Sequence, residues 1–192
     1  MGFEIEIKAW ADDPEGIGRL VSRFANYEGE FLREDAYWFR GESAAAKTAG
    51  IPVTDIRIRN ECCTDPQGRL RRTVWVTCKT KEVRERVEVN DEREFEVSDG
   101  DVFAEFLARL GFERGQTKTK QGRVWTWEGI TAELTEVRDL GWFVELEIMA
   151  DNDRPETVAA ARSRLLNLLG KLGIGEEKIE SRYYRELLNL KG

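Results

Sequence analysis

Hydrophobic and polar residues alternate along eight stretches of this chain, most clearly in Glu4-Ile5-Glu6-Ile7-Lys8. Alternation predicts β-strands, because successive side chains of a strand point to opposite faces. The stretches are residues 3–10, 30–39, 55–62, 70–80, 84–97, 117–127, 130–137 and 142–150. Eight strands with few helices between them indicate a mostly antiparallel sheet or barrel.

Helical spacing of apolar residues marks four further segments. They open at Asp13-Pro14, span residues 102–110 before Gly111, run from about residue 153 to Gly173, and surround residues 184–188. Asp153 and Glu156 predict a capping box at the start of the third helix. The Ala-, Gly- and Ser-rich residues 41–54 predict a loop.

Charged residues share one face of several predicted strands. The same-face sets are Glu4, Glu6 and Lys8, Arg57 and Arg59, Glu94 and Glu96, Lys118 and Lys120, and Glu145 and Glu147. If helices cover the apolar faces, the charged faces turn together, either toward water or into the lumen of a closed barrel. The pattern leaves both arrangements open. In a lumen, crowded carboxylates repel one another unless cations lie between them, which would suit a metal–phosphate complex.

Two conspicuous segments are predicted to be structural rather than functional. Trp125-Thr126-Trp127 is rich in aromatic residues, and we expect it to pack in the core rather than to stack on a nucleotide base. The charged run over residues 81–94 is expected to form a solvated edge of the sheet.

Composition narrows the chemistry. A length of 192 residues suits one domain, and a net charge of -7 argues against a general nucleic-acid or membrane binder. The acidic start and the lack of a long apolar run predict a cytoplasmic protein, in which the three cysteines stay reduced. The chain has no histidine, which excludes histidine-based catalysis. Oxygen ligands would favour Mg²⁺, Mn²⁺ or Ca²⁺.

Motifs that follow one another along nearly the whole chain resemble the CYTH superfamily, also called triphosphate tunnel metalloenzymes. Glu4-Ile5-Glu6-Ile7-Lys8 resembles its E-x-E-x-K signature, Asp35-Ala36-Tyr37-Trp38-Phe39 its D-x-Y-F-like strand, Arg57-Ile58-Arg59 its R-I-R strand, and Lys79 the single lysine of the next strand. Arg93-Glu94-Phe95-Glu96, Lys118-Thr119-Lys120 and the segment from Leu140 to Glu147 are similar to its later motifs. The tail from Leu172 to Leu188 is similar to the class IV adenylyl cyclase branch.

The resemblance implies an α+β fold in which residues 1–192 form one tunnel domain, an eight-stranded antiparallel barrel with helices packed outside. It implies Mg²⁺ or Mn²⁺ as cofactor, with metal ligands at Glu4, Glu6, Glu145 and Glu147. It implies phosphate ligands at Lys8, Arg57, Arg59, Lys79, Lys118 and Lys120. Lys79, Glu94 and Glu96 are the catalytic candidates, the glutamates as ligands of a second metal or as groups that orient the attacking nucleophile.

Two positions depart from the family pattern. Thr135 stands where an acidic residue is common, and Glu133, two positions earlier on the same strand face, is a candidate substitute as a metal ligand. Lys120 stands where arginine is usual, which loses the planar guanidinium fork. Arg123 could compensate as a substrate ligand only if the strand bulges or bends.

The expected activity is conversion of ATP to cyclic AMP and pyrophosphate, which the class IV-like tail favours. One alternative is a triphosphatase that releases orthophosphate from ATP, tripolyphosphate or another triphosphate. The other is a module that binds polyphosphate or nucleotide without turnover. No nucleic-acid or membrane partner is expected, and the family suggests a homodimer.

Overall fold

A computed structural model of the protein describes residues 2–40 and 56–190, so the predicted loop over residues 41–54 lies outside the described residues. Its strands are β1 (Phe3–Trp10), β2 (Asn26–Arg40), β3 (Ile56–Thr64), β4 (Leu70–Arg84), β5 (Val87–Val97), β6 (Phe112–Trp127), β7 (Ile130–Val137) and β8 (Gly141–Ala150). They form a closed barrel in the order β1-β5-β4-β3-β2-β6-β7-β8, and all neighbouring pairs are antiparallel. The predicted fold class, an antiparallel barrel with helices outside, is confirmed.

Strands β2 and β6 are longer than the sequence pattern predicts, because they pair with each other from Asn26 opposite Thr126 to Arg40 opposite Phe112. The register shifts between Tyr27 and Gly29, which interrupts the simple alternation. Gly29 has a φ of 131°, and a Cβ atom there would lie 2.1 Å from the Thr64 carbonyl oxygen. The strand therefore needs glycine at this bend.

The helices are α1 (Pro14–Val21), α2 (Gly100–Arg109), α3 (Pro155–Lys171) and α4 (Tyr184–Asn189), with a short 3₁₀ turn at Glu176–Lys178. The predicted capping box at Asp153 and Glu156 is wrong. Arg154 is the N-cap residue of α3 and makes no side-chain cap bond. The Asp153 carboxylate instead accepts a hydrogen bond from the Arg84 guanidinium at 2.9 Å, which draws it away from the helix start.

The main hydrophobic core lies outside the barrel, between its wall and helices α1 and α3. It contains Ile5 and Ile7 of β1, Leu134 of β7, Leu146 of β8 and Leu165 of α3, each at most 1% exposed. Each such side chain contributes about 1.5–3 kcal/mol on burial. A second cluster packs Trp38, Ile58 and Val76 under Leu107 of α2. Because both clusters take the outward faces, the alternating charged residues must point into the lumen.

Two sequence predictions about local burial have opposite outcomes. Trp125 is 1% exposed and packs in the outer core, where its indole donates to the Ser22 hydroxyl at 3.1 Å, as predicted. The prediction of a solvated edge over residues 81–94 is wrong, because β4 and β5 are interior members of a closed barrel. Glu88 of this run is 4% exposed. No helix within the described ranges is long and apolar enough to cross a membrane.

Candidate functional site

The lumen holds a chamber of about 560 Å³ whose lining includes nine acidic and eight basic side chains. This confirms the lumen arrangement for the charged strand faces, with Glu96 as an exception. The near balance of the two charge types allows so many ionisable groups to share one cavity. What distinguishes parts of the chamber is therefore how the charges are distributed over its walls.

One side of the chamber is acidic. We call this the acidic wall: Glu4 and Glu6 of β1, Glu133 of β7, and Glu145 and Glu147 of β8. Glu6 lies directly opposite Glu147 in the β1–β8 ladder, and Glu133 lies opposite Glu145 in the β7–β8 ladder. Like charges directly opposite one another are destabilising unless a cation offsets them.

The other side carries most of the basic side chains, together with Glu61 of β3. We call this the basic wall: Arg33 of β2, Arg57 and Arg59 of β3, Lys79 of β4, and Lys118 and Lys120 of β6. Asp35, 1% exposed, organises part of it by accepting from Arg59 through both carboxylate oxygens at 2.7 and 3.1 Å. Lys118 lies 3.1 Å from the same carboxylate. These contacts hold Arg59 and Lys118 in fixed positions toward the chamber.

Lys79 connects the two walls. Its ammonium donates to Glu4 at 2.6 Å and lies 3.6 Å from both Glu6 and Glu92. Burial alone would lower the pKa of Lys79, but Glu4, Glu6 and Glu92 outweigh it and raise that pKa above its usual range. The Lys79 ammonium thus faces three carboxylates inside the chamber.

The carboxylates differ in how well their charge is offset. Burial, together with Glu4, Glu6 and Glu133, raises the pKa of Glu147 to about 8. Burial also raises the pKa of Glu6, although Lys79 partly opposes it. Glu145 is different: burial opposes its ionisation, but Lys120 at 2.7 Å and the Tyr184 hydroxyl hold its pKa below the ordinary value. Among the described residues, Glu147 makes no ion pair.

The acidic wall fits a hard divalent cation by donor chemistry. Glu4, Glu6 and Glu147 supply carboxylate oxygens, which Mg²⁺ and Mn²⁺ prefer, and the repulsion of Glu147 by its carboxylate neighbours is only partly opposed by Lys79. Within the described part of the chain, no three acidic or thiol groups are already close enough to form a complete metal cage. Lys79 now occupies part of this space, so a cation here would bind with rearrangement of that side chain.

Most residues predicted for the site line the chamber, with two exceptions. Those that line it are Glu4, Glu6, Lys8, Arg57, Arg59, Lys79, Glu94, Lys118, Lys120, Glu133, Glu145 and Glu147. Glu96 lies outside it, where its carboxylate faces the exposed Arg71 at 3.5 Å. Arg123 points to the outer surface beside α1 and lies 3.7 Å from Glu15, because it shares the outward face of its cross-strand partner Leu134. The nearby register shift lies between Tyr27 and Gly29 of β2, and Arg123 keeps its regular pairing with Leu134 of β7.

The two departures from the family pattern have local replacements. Glu133 does share the lumen face, and Arg33 donates to both of its oxygens at 2.9 and 2.8 Å. Arg33 also lies directly opposite Lys120 in the β2–β6 ladder, so a guanidinium stands beside the lysine that replaces the usual arginine. The Thr135 hydroxyl is fully buried and has no hydrogen-bond partner among the described residues.

Several chamber residues escaped the sequence analysis. The alternation of their strands could have indicated Arg33 and Glu88. Each lies directly opposite a predicted site residue and points to the same face of the sheet. The contribution of the C-terminal segment had no such signal. Tyr184 packs its ring 4.7 Å from the Lys8 ammonium and 4.9 Å from that of Lys118. Lys8 itself donates to the Arg182 carbonyl at 2.7 Å, which fastens this segment to the barrel.

The chamber has two different ends. At one, where β1 ends and β8 begins, Trp10, Phe143, Tyr184 and Leu187 form an apolar cluster that covers part of the lumen. At the other, which we call the mouth, β1 begins and β8 ends, and Met149 is 61% exposed. Water and ligands can reach the charged walls from the mouth.

Comparison with known proteins agrees with this architecture. The profile of the CYTH domain matches residues 3–184. No curated protein sequence matches the chain significantly. The solved structure of the PH1819 protein from Pyrococcus horikoshii OT3 is 29% identical, covers 98% of this chain and 99% of its own, and superposes with a TM-score of 0.80. A conserved hypothetical protein of Pyrococcus furiosus is 28% identical over 96% of this chain and 99% of its own, with a TM-score of 0.74.

A more distant structure shares the fold. HpAC1 from Hippeastrum, a proposed adenylyl cyclase with a dominant triphosphatase activity, is 18% identical over 100% of this chain and 96% of its own, with a TM-score of 0.66. The match of the CYTH profile covers nearly the whole chain, and the barrel with its charged lumen agrees with it. The chain belongs to the CYTH domain family.

Proposed function

We propose that the chamber binds a triphosphate together with Mg²⁺ or Mn²⁺ and catalyses hydrolysis of the phosphate chain. The observation that carries this proposal is the separation of charge inside one lumen. Fixed cations on the basic wall face carboxylates on the acidic wall whose charge is only partly offset. A metal–triphosphate complex presents the negative charge of its phosphates to the basic wall and the positive charge of its metal ion to the acidic wall.

Arg57, Arg59, Lys79, Lys118 and Lys120 are the proposed phosphate ligands. Arg59 and Lys118 are held in place by Asp35, so they need little reorganisation when an anion binds. Lys79 would exchange its contact with Glu4 for a phosphate oxygen. This exchange would remove the ion pair from the Glu4 carboxylate, to which Asn90 also donates at 2.9 Å, as the metal–triphosphate complex enters.

Glu4, Glu6 and Glu147 would hold the cation, which would neutralise phosphate charge and lower the pKa of the attacking group. The chain's own part is to align the phosphate chain and to offset the charge that develops on it, which is most of what phosphoryl transfer requires. Glu94, held by Thr77 at 2.6 Å, is the proposed residue that orients the attacking water. Hydrolysis needs no further groups to fix a ribose or a base near the α-phosphate, so this lining supports it best.

Formation of cyclic AMP is the second candidate. One observation favours it: the tail that resembles class IV adenylyl cyclases is the segment that brings Tyr183 and Tyr184 to the chamber. In that reaction the ribose 3′-hydroxyl attacks the α-phosphorus and pyrophosphate leaves. The residues that bind phosphate and metal would be the same.

Product analysis separates the candidates. Purified protein is incubated with ATP and, separately, with inorganic tripolyphosphate, in Mg²⁺ or Mn²⁺ and with a chelator control. Orthophosphate from either substrate supports hydrolysis, whereas cyclic AMP with pyrophosphate from ATP supports the cyclase. Calorimetric binding of both ligands without any product would overturn both enzymatic proposals and leave a binding module.

A further inference from the structure

Trp75 is a large aromatic residue in a chamber whose walls are otherwise mostly charged. It lies on β4 between Arg59 of β3 and Glu96 of β5, and its side chain lines the chamber while staying partly exposed. Most other tryptophan and phenylalanine side chains of the barrel belong to the apolar clusters. An indole in contact with water inside a charged lumen has a cost in hydration, which a ligand could remove.

The orientation of the Trp75 ring is fixed by polar contacts at its edge. Its indole nitrogen donates to Glu61 Oε1 at 3.3 Å. Glu61 in turn accepts from the Arg33 guanidinium. Because these contacts use the edge of the ring, they hold the indole without using its faces for hydrogen bonding.

The position of Trp75 along β4 places it on the mouth side of the phosphate-binding residues. Lys79 and Trp75 share the lumen face and are separated along the strand by about 13 Å, at roughly 3.3 Å per residue. Met149 of β8, which also lines the chamber, is exposed at the same end of the barrel. A triphosphate held at Lys79 and Arg57 would therefore extend any attached organic group toward Trp75 and Met149.

We propose that Trp75 is a specificity-determining residue that stacks on the planar ring of an organic triphosphate, such as a nucleoside triphosphate, at the mouth of the chamber. This inference rests on the proposed function, since it takes the phosphate chain to bind at the basic wall. Aromatic faces attract bases of any kind, and the thioether of Met149 offers a polarisable contact beside them. The site therefore prefers a ring-bearing triphosphate over bare tripolyphosphate without selecting strongly among bases.

The test compares two substrates in ring-deleting and ring-keeping variants. The kcat/KM values for ATP and for inorganic tripolyphosphate are measured for wild-type protein and for Trp75→Ala, Trp75→Leu and Trp75→Phe. Loss of stacking lowers kcat/KM for ATP by about tenfold in the alanine and leucine variants. The value for tripolyphosphate stays within about twofold, and the phenylalanine variant retains most of the ATP activity.

An equal loss for both substrates would show that Trp75 only supports the wall, and an unchanged ATP value would show that it makes no contact; either result overturns the inference. Thermal unfolding of each variant identifies any that fail to fold, and the leucine variant preserves apolar bulk if alanine does not. Should the wild-type protein cleave neither substrate, the proposed hydrolysis fails independently. The same comparison is then made by calorimetry, where the alanine variant must lose about tenfold in affinity for ATP alone.

Discussion

Asp35 is a buried carboxylate and Glu147 a half-buried one of the same barrel, and their surroundings are opposite. Asp35 lies between Arg59 and Lys118, which overcome the effect of burial and hold its pKa well below the ordinary value. Glu147 lies among Glu4, Glu6 and Glu133, and burial with these neighbours raises its pKa to about 8. The presence of a carboxylate in the lumen is thus a poor guide to its role. The balance of neighbouring charge separates a carboxylate that builds the wall from one that is suited to receive a cation.

The largest effect on stability is expected at Asp35, whose charge is offset by two cations. Asp35→Asn leaves two buried cations without their counter-charge, and loss of one partner of a buried pair costs about 3–5 kcal/mol. We expect the free energy of unfolding, measured by urea titration, to fall by that amount. Glu94→Gln, which changes a more exposed carboxylate, serves as the matched control. Its free energy of unfolding should decrease by much less. Similar losses in the two variants would contradict the structural role of Asp35.

The next largest effect is the loss of turnover expected when a carboxylate of the acidic wall is removed. Glu6→Ala removes a proposed metal ligand, and even residues that only support such ligands commonly contribute about ten- to a hundredfold. We expect metal-dependent product release to fall by about a hundredfold or more, while circular dichroism and the unfolding midpoint remain close to wild type. Unchanged turnover would remove Glu6 from the site.

A third prediction concerns pH. Folding raises the pKa of Glu147 from 4.5 to about 8, so the folded state binds this proton more tightly than the unfolded state. The resulting stability is fully present below the unfolded pKa and is lost as pH rises toward the folded one. In metal-free protein, the unfolding temperature should therefore fall more steeply between pH 4.5 and about 8 for wild type than for Glu147→Gln. Parallel curves of unfolding temperature against pH for the two proteins would show that folding does not raise the pKa of Glu147.

The smallest effect is expected outside the barrel. Arg123→Ala removes a partly exposed guanidinium whose ion pair with Glu15 spans 3.7 Å, and such surface pairs contribute about 1 kcal/mol or less. Turnover and KM should stay within about twofold of wild type. A marked rise in KM for the triphosphate would bring Arg123 back into the binding site.

Much of this architecture follows from alternation alone. Glu4 and Glu6 against Ile5 and Ile7 fix which face of β1 is inward once helices are known to cover the other. The ends of β2 and β6 could not be predicted, because the register shift near Gly29 breaks the two-residue period. Closure of the barrel could not be predicted either, because the alternation within a strand does not determine which distant strand pairs with it.

The site shows the same limit. The sequence indicates that Lys118 and Lys120 share a face, but not that Asp35 and Glu145 offset them. In the sequence Arg123 is close to the predicted phosphate ligands. In the structure it lies opposite Leu134 and points outward with it. Tyr184 reaches the chamber from a helix far along the chain, a contact that depends on tertiary packing and leaves no local trace.

Strand β1 pairs with β5 on one side and with β8 on the other, and so it closes the ring that the other seven strands begin. When the chain folds, the pairing of β1 with β8 must bring Glu6 up against Glu147 from distant parts of the sequence. The junction that completes the ring therefore places two carboxyl groups directly opposite each other. A divalent ion in the refolding buffer should speed this step, because it would relieve the repulsion that the two approaching strands otherwise meet.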